Sequence, residues 1–159
     1  MVSDIEYSDN NNNDLIISKN LSNRDQLALL FYVLYIAESF DYDISLEAIV
    51  DNLYRGFDIL ITQDSDTFKS AKDILDKYKN LDKQIEPLLS NWRLERLGIA
   101  TKIIIRIGSW HLQNSNLDKA LIINEAIELA KCFAEKDSYK FINGILDELS
   151  KIIKNNKNN

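Results

Sequence analysis

The stretch LIINEAIELAKCFAEKDSYKFINGILDEL, Leu121 to Leu149, sets the reading of the whole chain. Its apolar residues recur with helical spacing. Ile123, Ile127, Ala130 and Ala134 form one stripe, while Phe141, Ile142, Ile145, Leu146 and Leu149 form another. Between them the period breaks at AEKDS, which ends on Ser138, a residue type suited to an N-cap. The pattern predicts helices over about Leu117–Ala134 and Tyr139–Ile153. Gly144 falls inside the second, where glycine costs about 1 kcal/mol against alanine. It is therefore expected to mark a close helix crossing, as is Gly108 one helix upstream.

Working outward, the helical period continues. Asn23 to Ser39 follows a Ser22 cap and carries Leu27, Leu30, Phe31 and Leu34, yet Leu29, Tyr32, Val33 and Ile36 make its other side apolar too. A helix apolar on most faces is central in a fold or covered by a partner. Leu46 to Leu60 follows Ser45, and Asp66 to Glu86 follows Ser65 and stops at Pro87. A helix over about Asn91–Leu112 carries a stripe of Ile99, Ile103, Arg106 and Trp110, which sets a guanidinium among apolar groups and demands a carboxylate partner. No strand is expected. The fold class is all-α, a single-domain bundle of six helical segments. Residues 1–20, acidic and Asn-rich, are expected to be a disordered tail, 21–154 the helical domain, and 155–159 a second tail.

Composition narrows function by exclusion. The chain has 159 residues, 45% hydrophobic and 28% charged, with only four Gly and one Pro, too few turn residues for an all-β protein. The longest apolar run, Leu27 to Ala37, is too short to span a membrane, and the start MVSDIEYSDNNNND lacks the pattern of a signal peptide, so a reducing cytoplasm is expected. Net charge is −6; the first twenty residues hold −3 of it, leaving −3 on the rest, so strong sequence-blind binding to nucleic acid is not expected. There is one histidine, His111, read as a packing or surface residue, and one cysteine, Cys132, read as a small buried apolar group. Neither a Gly-rich phosphate loop nor a cysteine zinc site can be built, and the carboxylates stand at ordinary helix-surface spacings. No catalytic residue, cofactor or metal is expected, and the chain is read as a non-enzyme.

The opening stretch resembles the C-terminal signature of the NusB family of bacterial transcription antitermination factors: apolar-Asn-Glu-Ala-apolar-Glu-Leu-Ala-Lys, a Ser, then Phe-apolar-Asn-Gly-apolar-Leu. Upstream, RLERLGIATKIIIRIGSWHL resembles the family's Arg-containing fourth helix, and LFYVLY, Leu30 to Tyr35, its first-helix motif. The resemblance covers roughly residues 22 to 154. It implies a single all-α domain of two small helical subdomains, about six to seven helices in all, that pairs with NusE, a small-subunit ribosomal protein. The pair would bind the boxA element of ribosomal RNA transcripts within the RNA polymerase antitermination complex. Carried over residue by residue, it implies RNA contacts at Tyr35, Asp137, Lys140 and Phe141. It also implies partner contacts at Glu95 and at Thr101, where the family commonly has an acid, and a structural ion pair between Arg106 and Glu125. Unstacked bases of single-stranded RNA can lie on aromatic rings, which suits Tyr35 and Phe141.

The chain departs from the family at the start of the first helix. Where several arginines are common, it reads SNRDQL, leaving Arg24 beside Asp25, with Lys19 the only other nearby cation. Each lost phosphate contact removes a counterion-release contribution to affinity. Two further readings follow: a module that binds the ribosomal protein but has lost most RNA affinity, and a relict of the RNA-binding domain that precedes some ribosomal-RNA methyltransferases and shares this helical fold, for which enzyme activity is expected to be absent because the sequence ends before a methyl-donor domain could begin.

Overall fold

The computed structural model describes residues 15–158. Six helices make up the fold: α1 (Asn23–Ser39), α2 (Leu46–Phe57), α3 (Asp66–Ile85), α4 (Ile99–Asn114), α5 (Lys119–Phe133) and α6 (Ser138–Lys157). Three of the expected caps close as read. The Oγ atoms of Ser22, Ser45 and Ser65 accept the backbone N–H of Asp25, Ala48 and Phe68 at 3.1, 3.1 and 3.2 Å, each satisfying a donor that the first helical turn leaves free. Helices α1 to α3 form one group and α4 to α6 the other. Helix α4 belongs to both, packing on α5 and α6 and also on α1 and α3. The two groups therefore share one continuous core, with Leu34, Ile74, Ile104, Ile105, Ile142 and Leu146 fully buried.

Regular structure extends into both segments expected as tails. Residues 1–14 lie outside the described part, but Ile16–Ile17 (β1) pairs in parallel with Ile59–Leu60 (β2), and Ser18–Asn20 forms a 3-10 turn with Ser18 buried. Lys19 pairs with Asp64 across this junction. Two alternating residues are too short a pattern to read as a strand. Here the left-handed Asp58 (φ 54°) closes α2 and turns the chain so that its carbonyl accepts the Ile16 N–H at 2.8 Å. At the other end α6 continues through Lys157, where Lys154 and Lys157 complement the negative end of the helix dipole.

The fourth helix also begins later than expected. Residues Leu94–Arg96 form a separate 3-10 turn, bounded by extended Arg93 and Leu97, and α4 starts only after extended Gly98. The two glycines divide. At Gly108 an added Cβ would lie 2.6 Å from Cδ1 of the fully buried Leu146, so α4 and α6 cross in contact there; at Gly144 it would meet nothing within 4 Å.

Arg106 is buried, 4% exposed, and organises a polar network where the two helix groups meet. Its expected partner is corrected. Glu125 makes no ion pair or hydrogen bond among the described residues, and Asp82 on α3 takes the guanidinium fork instead, accepting from Nε and Nη2 at 2.7 Å each. Nη1 donates to Glu38 at 2.8 Å and to the Tyr42 hydroxyl at 2.6 Å, and Lys102 donates to the other Glu38 oxygen at 2.7 Å. The Tyr42 hydroxyl in turn donates to Glu38, and its ring stacks on Tyr78 with centroids 4.2 Å apart. Glu125 is displaced because the wide apolar stripe of α4 turns Arg106 toward α1 and α3 rather than toward α5. Burial alone would push the Glu38 carboxyl up, but hydrogen bonds from Lys102, Tyr42 and Arg106 outweigh it and hold the group at about 2. Asp41 and Tyr42 both sit at positive φ (51° and 62°), a conformation costing about 1–3 kcal/mol for such residues. The Tyr42 hydroxyl bonds and the ring stack hold the second of them in place.

Candidate nucleic-acid interface

The exposed cations and rings of α1, α5 and α6 are brought together at one face. On α1, Arg24, Ala28, Phe31 and Tyr35 share a stripe by their spacing of four, three and four residues. The side chain of Arg24 is 65% exposed and its Nη2 donates to Glu128 on α5 at 3.2 Å. Lys131, nearly one turn further along α5, lies 3.9 Å from the same carboxylate, and its Nζ sits 5.2 Å from the centre of the Tyr139 ring. From α6, Lys140 approaches the same ring at 5.8 Å and pairs with Asp137 at 3.6 Å. A shallow depression between α5 and α6 is lined by Asn124, Ile127, Glu128, Lys131, Tyr139, Lys140 and Asn143.

A second patch adjoins along α1. The Phe31 ring stacks on Phe133 of α5 with centroids 4.7 Å apart, Tyr32 meets Phe133 edge-on at 5.2 Å, and Tyr35 lies 5.8 Å from Phe31. Phe31 is buried, while Tyr32 and Tyr35 are 47% and 38% exposed. Face and patch together offer ammonium and guanidinium groups beside ring faces, the combination that binds phosphates and stacks bases. Every ion pair on the face is exposed, so each is exchangeable against water or a phosphate at small cost.

The expected residues are distributed as follows. Arg24 and Lys140 lie on the face, linked through Glu128, Lys131 and Tyr139. Tyr35 stands about 16 Å along α1 from Arg24 by the rise of the helix. Asp137 is exposed and holds a left-handed backbone (φ 66°) that turns the chain into α6, so Ser138 opens the helix rather than capping it. Phe141 is half-buried and packs against the core. Glu95 is exposed on the 3-10 turn before α4. Gly98, just beyond, abuts Glu135, so the linker lies beside the α5–α6 turn. Thr101 is corrected: it is 6% exposed and faces inward from the first turn of α4, so it is closed to a partner. Cys132, read as a buried packing group, is exposed. Sequence reasoning missed Tyr32, Lys131 and Tyr139. For Tyr139 the signal was present, an aromatic between Ser138 and Lys140, but only the fold places Lys131 over its ring.

Comparison with known proteins meets this geometry. The model of the NusB family matches residues 17–151. The chain belongs to that family. A curated relative, the transcription antitermination protein NusB of a Nitratiruptor species, is 37% identical over 118 residues, covering 74% of this chain and 78% of that protein. The NusB of Macrococcus caseolyticus is 42% identical over 78 residues, 49% of this chain and 60% of that protein. Among solved structures, T. maritima NusB superimposes with a TM-score of 0.70 at 26% identity, covering 82% of this chain and 92% of that one. The all-α NusB fold is thus shared. Among the described residues no group of three His, Cys, Asp or Glu side chains could hold a metal, and no helix is long and apolar enough to cross a membrane.

Proposed function

We propose that this NusB-family chain is a transcription antitermination factor that binds the boxA element of ribosomal RNA transcripts together with the ribosomal protein NusE, in the cytoplasm and as part of the RNA polymerase antitermination complex. The observation that carries the reading is the face on which Lys131 and Lys140 flank the Tyr139 ring and Arg24 stands one carboxylate away. The residues assigned to RNA are Arg24, Tyr35, Asp137, Lys140 and Phe141, with Lys131 and Tyr139 added; Glu95 is assigned to NusE. The role needs no bond-making step. Phosphates compete with Glu128 and Asp137 for the exposed cations while bases stack on the rings.

A second reading, a protein-interaction module with little RNA affinity, is favoured by one feature. Arg24 and Lys131 both face Glu128, and Lys140 faces Asp137, so the chain neutralises its own cations. Fluorescence anisotropy of labelled boxA RNA titrated with this protein, alone and with equimolar NusE, beside a scrambled RNA, separates the two. Partner-dependent, sequence-selective binding is expected. A pair that forms yet ignores boxA would establish the second reading.

A further inference from the structure

On another side of α1 and α5, a cavity of about 440 Å³ opens between the starts of α1 and α3 and the facing sides of α4 and α5. Its walls are apolar, with Leu27, Leu30, Ile104 and Leu129 among them, and Leu117 and Leu121 form a rim 51% and 45% exposed. Its polar lining has one sign. Glu125 and Asp66 are the charged lining residues, neither is paired among the described residues, and no Lys or Arg lines it. Two further polar atoms are buried here without a hydrogen-bond partner: Thr67 Oγ1, on a residue 4% exposed, and His111 Nδ1. Buried polar atoms are ordinarily paired, and these two stand unpartnered beside the cavity.

We propose that this groove binds a segment of a protein partner that inserts an apolar side chain between the rim leucines and sets a neighbouring Lys or Arg against Glu125. The charge is complementary: a cation is attracted by two unpaired carboxylates and repelled by nothing in the lining. Size agrees, since cavities of roughly 300–1,000 Å³ take a ligand-sized group. Rim leucines standing in water favour a macromolecular occupant, because a covering chain buries them along with the anchor. The groove is independent of the boxA reading, because none of its lining residues belongs to the face assigned to RNA.

Selection of random displayed peptides on the full-length chain, followed by anisotropy of the enriched peptides, tests the proposal. The expected peptides pair a large apolar residue with Lys or Arg. Their affinity is expected to fall about tenfold or more with Glu125→Lys, the scale of one lost charge-assisted contact, and to stay unchanged with Glu148→Lys on the exposed side of α6. Circular dichroism confirms that both variants fold. Enriched peptides without a cation, indifference to Glu125→Lys, or failure to enrich any peptide would overturn it. So would a concentration-dependent dimer abolished by Glu125→Lys, which would make a second copy the occupant. If Glu125→Lys does not fold, Leu121→Asp on the exposed rim replaces it with the same expected loss.

Discussion

Two regions of this molecule use the same chemistry for opposite ends. Around Arg106, and again around Arg24, an arginine meets carboxylates near a tyrosine or a lysine. Around Arg106 the guanidinium is 4% exposed and each of its three nitrogens donates to a defined acceptor. Around Arg24 the guanidinium is 65% exposed and holds a single contact at 3.2 Å. A buried charge that loses its partner cannot be rescued by water, so the first arrangement locks α1, α3 and α4 together. An exposed pair contributes little and is readily exchanged, so the second can give its cation to another anion. Burial, not residue type, separates a structural ion pair from a binding one.

The sharpest way to break this comparison is to truncate each arginine. Arg106→Ala is expected to destabilise the fold by about 3–5 kcal/mol, because Asp82 loses both bonds of the guanidinium fork at a largely buried position and Glu38 keeps only Lys102 and Tyr42, whereas Arg24→Ala should change stability by less than about 1 kcal/mol. Urea denaturation of both variants checks it, and equal effects would erase the distinction.

Acid titration is the next largest effect. The Glu38 carboxyl lies at about 2 in the folded chain against an ordinary 4.5. Its contribution to stability is therefore fully present above about pH 4.5 and is lost as pH falls toward 2. Thermal melts across that window should show wild type losing stability more steeply than Glu38→Gln, which removes the titrating group.

Smaller again are the helix glycines. Gly108→Ala drives a methyl into Leu146 and is expected to cost about 1–3 kcal/mol by overpacking. Gly144→Ala meets open space and is expected to stabilise α6 by about 1 kcal/mol through helix propensity. Calorimetry of the pair measures both signs at once.

The smallest effect concerns the binding face. If Lys140 contacts a phosphate, Lys140→Ala should reduce the slope of log affinity for boxA against log salt by about 0.7, the value for one contact on a single strand. Measuring the slope with NusE present, in wild type and variant, checks this without reference to absolute affinity.

The six helices and three of their caps were legible because they rest on short-range chemistry. Ser22, Ser45 and Ser65 cap amides only three residues away, and apolar stripes repeat within one turn. The strand pair was not legible, because Ile16 finds Ile59 through a left-handed Asp58 that no periodicity signals. The candidate face was half legible: Arg24, Tyr35 and Lys140 stand out from the resemblance, whereas Lys131 becomes part of it only through the Tyr139 ring across the α5–α6 turn.

What could be read from the chain of residues alone was that Arg106 would be buried and would need a carboxylate, since an arginine within an apolar helical stripe leaves no other solution. Which carboxylate answered was settled by packing. Asp82 and Glu38 lie 24 and 68 residues away in sequence, and at such separations only the mutual placement of α1, α3 and α4 determines which groups meet. The same placement sealed Thr101 into the core, opened Gly144 to solvent and left Glu125 facing a cavity. Helix formation is local in the chain, whereas side-chain company is a property of the assembled core.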